Sequence, residues 1–148
     1  MTYPIISADS HITEAPDTYL ANIDRAWRDK APRIVSTEKG DVFQIDGMAK
    51  PIHLGLVAAA GKPPESITTT GAKFGDLHRG GWDPDARMAD QVRDGVAAEI
   101  IYPTVGMLLC NHPSYDYQKA CFDAYNRWIA AFCDRHPTRL LGCGQSAG

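Results

Sequence analysis

The stretch that most restricts this chain's fold is WDPDARMADQVRDGVAAEIIYPT, residues 82–104, where a helix signal runs almost without pause into a strand signal. Asp83 is a natural N-cap, Pro84 suits the first helical position, and Asp85 favours the positive end of the helix dipole. Met88 and Val92 are spaced to face inward together, and Gly95 is placed to end the helix in a left-handed conformation. VAAEIIYP then reads as a buried strand punctuated by Pro103. A helix that feeds a strand through so short a joint is typical of repeating α/β architecture.

The same alternation recurs on either side. YPIISAD, residues 3–9, reads as a strand buried on both faces. After it, Asp17 can cap a helix that carries Tyr19, Leu20, Ile23 and Trp27 on one face. PSYDYQKACFDAYNRWIAAFCDRHP predicts the longest helix, with Phe122, Tyr125, Ile129 and Phe132 at three- and four-residue steps and Pro137 beyond its end. TRLLG begins a third apolar strand. Strands alternating with helices predict a parallel sheet with right-handed crossovers and both faces covered.

Residues 32–81 interrupt the pattern as an insertion. Ile34 and Val35, then Val42, Phe43 and Ile45, flank EKGD, whose Gly40 can take positive φ, so a β-hairpin is expected. From Gly55 to Gly81 the chain is rich in Gly, Pro and Thr and too long for an ordinary connection; it reads as a working loop or a partly disordered one. The 148 residues are expected to form one domain. Three strands are too few to close an eight-fold barrel, which needs about 250 residues, so the sequence reads as an incomplete N-terminal portion.

A formal charge of −3 with scattered Lys and Arg gives no electrostatic footprint for nucleic acid or an anionic membrane. No apolar run approaches the ~20 residues of a membrane span, and the N-terminus lacks a basic n-region, so a cytoplasmic protein is expected. Cys110, Cys121, Cys133 and Cys143 form no CxxC pair and read as small apolar side chains, although Cys110 and His112 could share a metal.

The chemistry concentrates in IISADSHITEAP, residues 5–16. Asp9 and His11 are two apart at a strand's carboxyl end, so extended backbone projects both to one side, ~6–7 Å apart along the chain. A carboxylate and an imidazole there can both reach one divalent cation, zinc first and manganese next. Glu14 could support such a ligand by a hydrogen bond. The rival reading is a polar strand end with a capping acid.

SADSHITEAPDTYL, GGWDPDARMADQVRDGVAAEIIYPT and ACFDAYNRWIAAFCDRHPTRLLG, in that order, resemble the amidohydrolase-2 family of metal-dependent hydrolases and decarboxylases. The resemblance implies an α/β fold, a partial (β/α)8 TIM barrel with about its first three strands. It also implies one divalent metal, with Asp9 and His11 in the ligand positions of the first strand. Many relatives have two histidines there, whereas this chain has an acid first. Tyr102 and Thr104 would face the pocket mouth, with a core role for Tyr102 as the alternative, while His53, His78, His112 and His136 read as surface or structural.

The function expected is therefore hydrolysis or decarboxylation of a small carboxylate, ester or amide, with the catalytic base on strands beyond this sequence. The alternatives are a truncated inactive product and an assembly module that pairs through its open sheet edges. Those edges lead us to expect a homo-oligomer.

Overall fold

The computed structural model describes residues 3–57 and 59–147. Its strands are β1 (Ile5–His11), β2 (Arg33–Thr37), β3 (Gly40–Gln44), β4 (Ile52–His53), β5 (Val96–Tyr102) and β6 (Leu140–Gly142). Its α-helices are α1 (Leu54–Val57), α2 (Pro84–Asp94), α3 (Val105–Leu109) and α4 (Tyr115–Cys133). A parallel sheet in the order β1-β5-β6 carries the α/β alternation, and an antiparallel sheet β2-β3-β4 forms the insertion. No helix among the described residues is long and apolar enough to cross a membrane.

α2 begins and ends where its sequence directs. Asp83 accepts hydrogen bonds from the amides of Asp85 and Ala86, both at 2.9 Å, and Gly95 is left-handed with φ 69°. Its inward face is only partly the apolar one expected, with Met88 packed against the core. Val92 is 72% exposed, and the buried positions are Arg87 and Gln91. The cause lies on β5. Glu99 projects toward the helix, where Arg87 Nε reaches it at 2.6 Å and Gln91 Nε2 at 2.8 Å, and a largely buried carboxylate needs such partners.

α4 matches its reading more closely. Ser114 caps it, and Phe122, Tyr125, Ile129 and Phe132 are all buried. With Ile101 and Leu140 from the sheet, Phe43 and Ile52 from the hairpin side, and Tyr19 and Ile23, they form one apolar core.

Two further expectations fail. The segment after β1 forms turns followed by a 3-10 helix, Arg25–Lys30, instead of an α-helix. Asn22 Nδ2 takes the Thr18 carbonyl and Asp24 is extended (φ −59°, ψ 144°), which breaks the α-helical ladder. Tyr19 and Ile23 are nonetheless buried, whereas Leu20 is exposed. β1 is also not buried on both faces, because Ile5 and Ile6 are 60% and 56% exposed. The parallel sheet has three strands, so β1 and β6 are its edges.

The hairpin forms with Gly40 at φ 94°, and β4 adds a third strand through Val42↔His53 and Phe43↔Ile52. A side chain at Gly40 would meet the Ala72 carbonyl at 2.7 Å. The described residues of the long loop are tied down. Gly71 donates to Lys39, Asp41 to Ala72, and Thr13 to the Gly81 carbonyl at 2.7 Å, which brings the loop's end to the end of β1.

Candidate functional site

Strand periodicity divides the end of β1 between two faces. Ser10 turns toward α2 and donates to Glu99 Oε1 at 3.1 Å, joining the Arg87–Gln91–Glu99 cluster. Burial opposes ionisation of Glu99, but hydrogen bonds from Arg87 and Gln91 prevail and hold its carboxyl below the usual range. Arg87 Nη1 also donates to the His11 carbonyl at 3.1 Å, fixing the strand end from behind.

Asp9 and His11 occupy the other face. His11 Nε2 lies 3.4 Å from Asp9 Oδ1, with the side chains 39% and 85% exposed. His11 Nδ1 is 2.9 Å from the Pro103 carbonyl. A carbonyl only accepts, so Nδ1 donates to it; in the neutral ring Nε2 then carries a lone pair facing the Asp9 carboxylate, and two acceptors 3.4 Å apart attract a cation between them.

Tyr102, the register partner of His11, brings its ring to 5.9 Å from the imidazole, tilted by 37°. Its hydroxyl is pushed up by Cys143 nearby, with burial and Asp9 adding to it. Cys143 follows β6, so the carboxyl ends of all three parallel strands contribute to one cluster. Cys143 escaped sequence reasoning; the only signal was its place just after an apolar strand.

Thr104 and Glu14 serve the turn behind this face. Thr104 Oγ1 donates to the Ile12 carbonyl at 2.6 Å. Glu14 is fully buried, and its Oε1 accepts from the amides of Thr104 and Gly106, each at 3.0 Å. Burial raises its pKa, and Oε2 has no hydrogen-bond partner among the described residues, as suits a carboxyl pushed toward its neutral form. Its hydrogen bonds go to the turn backbone, not to the side chain of Asp9 or His11.

The other histidines lie elsewhere. His78 pairs with Asp90 at 2.6 Å and His136 with Asp85 at 2.8 Å, while His112 bonds the Asp46 carbonyl at 2.8 Å. His53 sits at the β4–α1 junction. A cavity of about 530 Å³ lies between the end of β1, the loop around His78–Gly81 and α2.

As metal donors, Asp9 and the bare Nε2 of His11 are of the right chemical type, and the bond from Nδ1 to a carbonyl is the support metal-binding histidines receive. Among the described residues, no group of three or more His, Cys, Asp or Glu side chains converges as a metal site. Two donors of this type fall short of the three protein ligands of a catalytic zinc site.

Fold and site together define a mixed α/β chain whose parallel strands bring an acid–imidazole pair, a phenol and a thiol to one end. An amidohydrolase from Mycobacterium avium subsp. paratuberculosis K-10 has a similar structure over 97% of this chain, with TM-score 0.65 and 19% identity. The chain spans 43% of that protein's length. At this identity the likeness shows the fold: the chain is built like part of an amidohydrolase. No family model and no curated protein matches the sequence.

Proposed function

We propose that this chain is part of a metal-dependent hydrolase or decarboxylase of the amidohydrolase superfamily, acting on a small carboxylate, ester or amide. On this reading β1, β5 and β6 are the first three strands of a (β/α)8 barrel. Asp9 and His11 hold one divalent ion, zinc or manganese, with further ligands from outside the described residues. The observation that carries it is the Nδ1–Pro103 bond, which leaves His11 Nε2 bare beside Asp9. The fold shared with an amidohydrolase supports the superfamily assignment.

When bound, such an ion supplies Lewis-acid polarisation of a substrate carbonyl or carboxylate oxygen. The chain's own residues prepare for that. Pro103 fixes the His11 ring, and Arg87 fixes its backbone. The Tyr102 hydroxyl, protonated at neutral pH like any phenol, lies beside the pair and can donate to a substrate oxygen there. Four free cysteines accord with a cytoplasmic setting.

Elemental analysis of the purified protein, repeated on Asp9→Asn and His11→Asn, tests the proposal. Zinc or manganese in the wild type, reduced in both variants, is expected; metal retained in both, or absent throughout, sinks it.

A second reading has its own observation. Ile5 and Ile6 on β1 and Leu141 on β6 are exposed on edge strands, which suits self-association through the sheet. Concentration-dependent sedimentation would favour it, and a monomer at all concentrations would end it.

A further inference from the structure

What fixes the His11 ring is the Pro103 carbonyl, so the ring is only as well placed as the turn that presents it. Pro103 has no N–H, and the turn's stability falls to its neighbours. Two of its amides, Thr104 and Gly106, end on the same oxygen, Oε1 of Glu14, at 3.0 Å each. The Thr104 hydroxyl on the Ile12 carbonyl ties the turn next to His11, and Gln145 Nε2 on the Gly106 carbonyl at 2.9 Å holds its far end. The contacts close a ring, from the His11 side chain to Pro103, across Thr104 to Glu14, and back along three residues of main chain. α3 has five residues and starts at Val105, so Glu14 sits where the turn enters it.

We infer that Glu14 is a positioning residue for His11: by binding the Thr104 and Gly106 amides it sets the Pro103 carbonyl, which at 2.9 Å holds the neutral ring's proton on Nδ1 against the weaker pull of the Asp9 carboxylate 3.4 Å from Nε2. Glu14 acts through the backbone and touches no ligand. The consequence for a metal rests on the function proposed above; the tautomer does not.

The test is a long-range ¹H–¹⁵N correlation of the imidazole rings in the full chain without metal, at a pH where the rings are neutral. The wild type is expected to show His11 as the Nδ1–H tautomer alone. Glu14→Gln, which keeps an acceptor oxygen, should preserve it. Glu14→Met, which has none, should give a mixture of tautomers at His11 while His112, bound to Asp46 and Ser114, is unchanged. Zinc titration of the same samples should show Glu14→Met weakening affinity about 10- to 100-fold and Glu14→Gln leaving it at the wild-type level.

A folded Glu14→Met with His11 still on Nδ1–H, or a wild type protonated on Nε2, overturns the assignment. If the Met variant does not fold, Glu14→Asp, one methylene short of the amides, replaces it. Failure of both to fold would make Glu14 a requirement of the whole fold and overturn the proposal as well. A tautomer change without zinc binding leaves this inference standing and removes the metal reading.

Discussion

The two faces of β1's carboxyl end are made from adjacent residues and do opposite things. Toward α2, Ser10 joins a cluster in which Glu99 has bonds from Arg87, Gln91 and Ser10, so the charge there is matched. On the other face, Asp9 and His11 are open to solvent, and among the described residues the Asp9 carboxylate and His11 Nε2 have only their own 3.4 Å contact. The difference teaches where polar residues are structural and where they are available. A period of two separates the roles by a single residue.

The largest effect is expected on the clamped face. Arg87→Met leaves Glu99 without its guanidinium, and breaking such a pair costs about 3–5 kcal/mol, measurable by urea unfolding. The double variant Arg87→Met with Glu99→Met should recover much of that loss; additive losses would deny the coupling. Asp83→Ala, which removes the cap that presents Arg87, is expected to cost about 1 kcal/mol. The Ala86 amide holds the Asp83 carboxyl below the usual 3.8, with Arg79 adding to it. That stabilisation is present above the unfolded value and is lost as pH falls through the folded one, so the Asp83→Ala penalty should shrink in acid.

Glu14 tests the boundary between the faces, and its sign is reversed. Burial raises its pKa above 4.5, so the folded chain holds this proton more tightly than the unfolded chain. The resulting stability is complete below the unfolded value and declines as pH rises through the folded one. Thermal melts of Glu14→Gln should gain on the wild type as pH increases; a pH-independent difference would show that the carboxyl titrates normally.

On the open face, His11→Asn, which gives up the Pro103 bond, is expected to cost about 1 kcal/mol, and Asp9→Asn no more than about 0.5 kcal/mol. Losses near those of Arg87→Met would make both faces structural and erase the contrast. The smallest effect belongs to Val92→Ser, close to zero because the side chain is exposed.

Much of this arrangement was legible in the residues. Asp83, Pro84 and Gly95 mark the ends of α2 through local backbone chemistry, and Gly40 marks the hairpin for the same reason. The apolar steps of α4 were legible because a long helix against a core repeats the signal, at Phe122, Tyr125, Ile129 and Phe132. That Asp9 and His11 share a side followed from strand period alone. The inward face of α2 was hidden because Arg87 and Gln91 are polar, and their burial depends on Glu99, twelve and eight residues away on another element. The turns at 16–24 were hidden because their apolar spacing mimics a helix, while the backbone follows Asn22 and Asp24. Cys143 and the Glu14–turn contact depend on tertiary neighbours that no short window contains.

Whether the open face receives a cation can be read in space by adding substoichiometric Mn²⁺ to ¹⁵N-labelled protein and following paramagnetic line broadening. The amides nearest Asp9, His11 and Tyr102 should broaden first, and His11→Asn should abolish the effect. Broadening centred on His78 and Asp90, or none above that of a surface carboxylate, would mean that the pair at the end of β1 is not a metal site.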